Sequence, residues 1–182
     1  MKTADALLRR ARQWNEDALT QIYDTFAPVI YRYVYRHVGH QNTAEEITAE
    51  TFHRFLVALK QGGGPTEHLS AWLYRVAHNL IVDFYRRQPA QEPESLDGVE
   101  ETLAESDRGV VHVEQQMQVE RARAALRQLT PLQQQVITLR YLEELSNAEI
   151  ARVVERTEGA VKALQHRALD SLRRILEEGN ET

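Results

Sequence analysis

Apolar residues recur at helical spacing in successive blocks along the chain, and the blocks predict an all-α protein. Residues 3–12 read as a short helix. Asn15-Glu16-Asp17 offers a new start, and Leu19, Ile22, Tyr23, Phe26, Ile30, Tyr33 and Val34 follow at helical intervals until Gly39 ends the run. Pro28 is expected to bend or punctuate it. Tyr31, Tyr33 and Tyr35 alternate, which sends them to different sides of a helix, so they read as packing rather than a stacking stripe. Thr43-Ala44-Glu45-Glu46 has the form of a capping box. The helix it would open, from Ala44 to Lys60, buries Thr48, Phe52, Phe55 and Leu59 and leaves Glu46, Ala49, Glu50, His53 and Val57 on the opposite face.

Gln61-Gly62-Gly63-Gly64-Pro65-Thr66 breaks the pattern sharply. No Gly-Lys-Ser/Thr follows, so it is not a phosphate-binding loop. Ser70 is placed to cap the next helix, Ala71 to Arg87. At about 100° of rotation per residue, Leu73, Ala77, Leu80, Ile81 and Phe84 form its core face. Trp72, Arg75, Asn79, Asp83 and Arg86 gather roughly a quarter turn away, and Arg87 closes the helix. An indole, an amide and guanidiniums in one row suit stacking on bases, bonding base edges and binding phosphate. An ordinary amphipathic helix with surface charges explains the same pattern.

Residues 89–113 are Pro-containing, acidic and poor in large apolar side chains, which predicts a flexible acidic linker between two small helical domains, 1–88 and 114–182. The second domain opens with a helix from about Glu114 to Gln128. Thr130-Pro131-Leu132-Gln133 is a strong start signal, with Pro at the first helical position and Gln133 completing a capping box. Ser146 and Glu149 repeat the device ahead of a two-turn helix, Asn147 to Val154, and a longer helix runs from Glu158 to about Leu176. This is helix-turn-helix spacing, with Ile150, Ala151 and Val154 packed against Val161, Leu164 and Ala168. The outward face of the last helix carries Glu158, Gly159, Lys162, Ala163, His166 and Arg167, the residues a docked recognition helix presents to the major groove.

Composition narrows the class. Of 182 residues, 42% are hydrophobic and 27% charged, as in a soluble globular protein, and there is no Cys, which excludes disulfides and thiolate zinc sites. No apolar run approaches a membrane span and no signal-peptide pattern opens the chain, so a cytoplasmic protein is expected. Net charge is −5, but seven acids against one Arg fall between residues 88 and 113. Neither flanking domain is strongly basic, so tight unaided DNA binding is not expected. His37, His40, His53, His68, His78 and His112 show no metal-ligand spacing and read as surface histidines; no metal and no cofactor are called for. No nucleophile motif or carboxylate pair forms a catalytic constellation, and an enzyme is not expected.

The wording of the Trp-bearing helix, Trp72-Leu73-Tyr74-Arg75-Val76-Ala77-His78-Asn79 followed by Asp83-Phe84-Tyr85-Arg86-Arg87, closely resembles the promoter-melting helix of bacterial RNA polymerase sigma factors of the extracytoplasmic-function type. Glu46-Ile47-Thr48-Ala49-Glu50-Thr51-Phe52 is similar to the family's polymerase-gripping run, with Ala49 in place of its Gln. Glu149-Ile150-Ala151, Ala160-Val161-Lys162-Ala163 and Arg167-Ala168 resemble its second conserved domain. Two departures are Gln134, where the family often has Arg, and Glu155, where the turn usually has Gly, so that turn is expected to lack a residue with free positive φ. The resemblance implies that Glu46, Ala49, Glu50 and His53 grip a coiled coil of the polymerase's largest subunit, while the second domain meets the polymerase flap. It implies that Trp72, Arg75, Asn79, Asp83, Arg86 and Arg87, with the Gly62-Gly63-Gly64 loop, capture the minus-ten element as single strand. It further implies that Glu158, Gly159, Lys162, Ala163, His166 and Arg167 read the minus-thirty-five element as duplex, and that an anti-sigma factor is a possible partner. On the residues alone the acidic face of the third helix is equally a solvated surface, and the glycine loop equally a plain connection. An autonomous helix-turn-helix regulator and a helical protein-binding adaptor are the alternatives.

Overall fold

A computed structural model describes residues 2–87 and 108–178, with side-chain environments for residues 6–87 and 117–177. Most of the acidic linker and the His112 side chain lie outside the described residues. Eight helices and no strand occur among those described: α1 (Lys2–Ala11), α2 (Glu16–Val38), α3 (Gln41–Lys60), α4 (Leu69–Arg87), α5 (Arg108–Arg127), α6 (Pro131–Tyr141), α7 (Asn147–Val154) and α8 (Glu158–Glu178).

Helices α1 to α4 pack around Leu8, Ile22, Ile30, Tyr33, Phe55, Leu69, Leu73 and Ile81, all essentially inaccessible to solvent. Asn15 caps α2, its Oδ1 accepting from the Ala18 N–H at 3.0 Å. Pro28 does not punctuate α2, which runs unbroken through it. Pro28 and Asp24 are both exposed, so the Asp24 carbonyl that loses its N–H partner can bond water instead. Two expected caps are corrected. Helix α3 starts before Thr43, with extended His40 as its cap residue and no side-chain cap, because the Ala44 N–H already bonds the His40 carbonyl at 3.0 Å. Helix α4 starts at Leu69, whose burial fixes the first turn, so Ser70 lies inside the helix.

In the second half, α5 begins at Arg108, six residues ahead of the expected start. Both later capping boxes are complete. The Gln133 and Glu149 N–H groups donate to Thr130 Oγ1 and Ser146 Oγ at 3.4 and 3.3 Å. In return, the Thr130 and Ser146 N–H groups donate to the side chains of Gln133 and Glu149 at 3.1 and 2.9 Å. The α7–α8 turn does use a left-handed residue: Glu155 itself takes φ 53°, ψ 50° and lets its N–H reach the Ala151 carbonyl.

The two halves meet along a buried seam. Val136, Leu139, Ile150, Val153 and Val161 join the same apolar cluster as the α1–α4 core, and α4 lies against α7. At the centre stand His37 and His78, predicted as surface residues but only 3% and 4% exposed. His78 Nε2 lies 2.9 Å from the Pro131 carbonyl and its Nδ1 3.0 Å from the Tyr33 hydroxyl. His37 Nδ1 lies 2.8 Å from the Tyr33 carbonyl and its Nε2 3.1 Å from the Thr138 hydroxyl. A carbonyl only accepts, so each ring donates to its carbonyl and accepts from its hydroxyl, and both rings are satisfied as neutral imidazoles. Burial lowers the His37 pKa to about 4, with the Arg36 charge acting in the same direction and the bond to Tyr33 opposing. Burial and then His37 lower His78 to about 3.

This sets a pH dependence. Parting the halves would expose both rings and return them toward the ordinary value of about 6.5, so the parted form binds more protons below that pH. The seam's stability is fully present above about 6.5 and declines as pH falls toward about 4. A donor–acceptor dye pair on single cysteines placed in α3 and α8, in a chain with no cysteine of its own, should lose transfer efficiency between about pH 7.5 and about pH 5. Replacing both histidines by Gln should flatten the curve; a flat curve in the wild type would exclude them as the sensitive groups.

Candidate nucleic-acid and polymerase interface

Helix α4 is rigid because Leu73, Ala77 and Ile81 anchor it in the core. Its polar row is not uniformly open. Asn79, Arg86 and Arg87 are exposed, whereas Trp72, Arg75 and Asp83 are partly buried. The Trp72 indole stands edge-on to Phe55, with centroids 5.8 Å apart and planes at 61°, an arrangement that holds the ring in place. Arg75 is ion-paired to Glu155 in the α7–α8 turn. Asp83 pairs with Arg86 one turn on at 3.0 Å.

The helix-turn-helix unit is set by Ile150, Val153, Val161 and Ala168, each buried, with Ala151 and Leu164 packed beside them. Asn147 and Gln165 bridge α7 and α8 through an amide–amide bond of 2.8 Å. This leaves Glu158, Gly159, Lys162, Ala163, His166 and Arg167 all exposed on α8. The Arg167 guanidinium folds back to the Ala163 carbonyl at 3.3 Å, leaving the rest of its fork free for an anion.

On α3, Glu46, Ala49 and His53 are exposed and Glu50 partly so. Glu50 bonds Arg54 at 2.8 Å and faces His53 at 3.4 Å; the Arg54 hydrogen bond is the main cause that holds its carboxyl below the usual value. Ala49 lines an open groove with Tyr23, Asp24, Ala27, Pro28, Tyr31, Glu45 and Thr48.

Several residues that organise these surfaces carried no local signal. Glu143 lies in the turn before α7, with its side chain 1% exposed. Its carboxylate accepts from Arg36 at 2.6 Å, Arg32 at 3.3 Å and the Tyr74 hydroxyl at 3.2 Å. Arg123 of α5 caps the end of α2, donating to the Arg36 carbonyl at 3.2 Å and lying over the Tyr35 ring. Arg12 binds the glycine loop. Each partner is far away in sequence, so no spacing rule finds it. Among the described residues no cluster of His, Asp and Glu could hold a metal ion, and no helix is long and apolar enough to cross a membrane.

The Sigma-70 region 2 family model matches residues 22–90, and the Sigma-70 region 4 model matches residues 120–172. ECF RNA polymerase sigma factor BldN of Streptomyces coelicolor is 36% identical over 174 residues, covering 93% of this chain; the chain spans 64% of BldN's length. ECF RNA polymerase sigma factor SigW of Bacillus subtilis is 28% identical over 180 residues, covering 93% of this chain and 94% of SigW. CnrH, solved in complex with the cytosolic domain of CnrY, shares the fold with a TM-score of 0.69 at 20% identity, covering 96% of this chain and 97% of that one. The chain belongs to the sigma-70 family of RNA polymerase sigma factors, extracytoplasmic-function type: initiation factors that bind core RNA polymerase and direct it to promoters.

Proposed function

We propose that the chain divides promoter work between residues 1–88 and 114–182, with 89–113 as a linker. The first unit grips the largest-subunit coiled coil of the polymerase through Glu46, Ala49, Glu50 and His53. It captures the minus-ten element as single strand on Trp72, Arg75, Asn79, Asp83, Arg86 and Arg87, beside the Gly62-Gly63-Gly64 loop. The second unit rests on the polymerase flap and reads the minus-thirty-five element as duplex through Glu158, Gly159, Lys162, Ala163, His166 and Arg167. Catalysis belongs to the polymerase, and the protein works in the cytoplasm. The observation that carries this reading is the placement of two polar rows, on α4 and on α8, along helices whose opposite faces are locked in the core. RpoE of Bartonella quintana was solved with the anti-sigma factor NepR; an anti-sigma partner is part of the proposal here too.

The closed seam bears on mechanism. Arg75 reaches a strand only after leaving Glu155. That pair is 33% and 67% exposed, a class worth about 0–1 kcal/mol, so its release is cheap. Parting the Glu143 and histidine contacts costs more, and core-polymerase binding is what offsets it. The free chain is therefore a poor promoter binder.

Strand capture must outweigh the unstacking cost of a few kcal/mol per flipped base. A stacking indole returns about 1–3 kcal/mol per base. Trp72→Ala and Asn79→Ala should therefore impair promoter opening, read by permanganate reactivity of thymines, more than total binding, read by filter retention. A premelted promoter should rescue Trp72→Ala better than Asn79→Ala. Normal opening by both, with the helix content intact, would remove α4 as the melting element. For the polymerase grip, Glu50→Lys should weaken core binding by about tenfold without unfolding, since it reverses one exposed charge; wild-type affinity would move the grip to another face. For the duplex contact, Arg167→Ala should weaken binding by the polymerase complex and lower its log–log salt slope by about one. An unchanged slope would assign Arg167 to packing.

A further inference from the structure

The glycine loop is held from both sides. On its N–H side, Gln61, Gly62 and Gly63 donate to the carbonyls of Val57, Leu59 and Ala58 at 3.1, 3.0 and 2.9 Å, finishing α3. On its carbonyl side one side chain does the work. Arg12 Nη1 donates to Gly63 O at 2.8 Å and Pro65 O at 3.1 Å, and Nη2 to Gly62 O at 3.3 Å. Three carbonyl dipoles converge on one guanidinium, a geometry that Gly62 at φ 75° and Gly64 at φ 78° permit. Arg12 is itself anchored: its N–H bonds the Leu8 carbonyl at 3.0 Å, and Leu8 and Ala11 are fully buried.

Beyond this fixed post, Pro65 is buried and Thr66, Glu67 and His68 are exposed. His68 takes φ 54°, and its carbonyl accepts from the Trp72 N–H at 3.2 Å. A continuous path thus runs from Arg12 through Pro65 and the exposed Thr66-Glu67-His68 segment to the backbone of Trp72. The glycines have little freedom left; the exposed segment that they and Arg12 aim stands one turn ahead of the indole.

We propose that Arg12 is a positioning residue for base selection in the minus-ten element: it clamps the glycine loop so that Thr66-Glu67-His68 meets the captured strand at a fixed place beside Trp72. The proposal rests on the reading of α4 as the strand-capturing helix. Arg12 touches no base. Its planar fork is what matters, because an ammonium offers a point charge and cannot span the same three carbonyls.

The test uses holoenzyme assembled from core polymerase and the full chain. It transcribes a promoter pool randomised over both elements, and the transcripts are sequenced. Arg12→Ala and Arg12→Lys should both keep the minus-thirty-five profile and core binding. Both should lose about tenfold of base preference at one or two minus-ten positions, as loosened positioning predicts. An unchanged minus-ten profile in Arg12→Ala would overturn the proposal, and so would full recovery by Lys, which would make Arg12 a simple charge. Loss at both elements together would mark Arg12 as a stability residue and overturn it equally. Trp72→Ala run in parallel separates the levels. A defect there with a normal Arg12→Ala profile removes only the clamp, whereas normal opening and selection in Trp72→Ala remove the reading beneath it.

Discussion

The Glu143 carboxylate is the constraint on which the closed arrangement depends. It comes from the second half of the chain and is buried against Arg32, Arg36 and Tyr74 of the first. While the halves are closed a carboxylate this buried must meet its partners, since losing one of them there costs about 3–5 kcal/mol, whereas the more open Arg75–Glu155 pair contributes at most about 1 kcal/mol. The buried contact therefore sets how α6 and α7 sit on α2 and α4, and the exposed pair follows from that placement. Tyr74 belongs to the network as well: burial, then the nearby Glu143 charge, raises its pKa and keeps the hydroxyl a donor.

The last turn of α2 concentrates several of these demands. Arg36 binds Glu143, His37 bonds Thr138, the His37 carbonyl accepts from the Tyr85 hydroxyl at 2.6 Å, and Arg123 covers the Tyr35 and Arg36 carbonyls. Gly39 follows at φ 79°, a left-handed angle that calls for glycine, and a Cβ there would press on the Arg123 fork, 3.1 Å from its Nη1. A helix end with free carbonyls draws cations and hydroxyls. Here those partners come from α4 of the same half and α5 of the other, and with Glu143 and Thr138 bound to Arg36 and His37 the end of α2 is a place where the two halves are joined.

How much of this was legible in the sequence follows from how far apart the partners are. The boxes at Thr130 and Ser146 are four-residue signals, and the helix-turn-helix unit they open lies where the spacing put it. The same signal at Thr43 misled, because a capping box read from sequence does not say whether the chain is already helical upstream, and the turn at His40–Thr43 is. The core faces of α3 and α4 followed from periodicity. His37 and His78 were misjudged because polar type predicts exposure, while the Thr138 hydroxyl and Pro131 carbonyl that make burial tolerable are 101 and 53 residues away. Glu143 and Arg12 were invisible for the same reason. The glycine loop was read as permissive, which glycine is, but the restraints that remove its freedom sit on another helix.

Glu155 shows how a local departure gains meaning from tertiary structure. A left-handed conformation costs a non-glycine residue about 1–2 kcal/mol, and the position is one where the family's turn usually carries Gly. Glu takes that conformation here and extends its carboxylate to Arg75 on α4. The pair returns about 0–1 kcal/mol, which at most offsets that cost, so Glu gains nothing over Gly in stability. What the carboxylate supplies is a connection. It holds a guanidinium of the polar row on α4 with a charge from the α7–α8 turn of the other half. Because the pair is weak and open to solvent on the Glu155 side, it links the two surfaces without locking either.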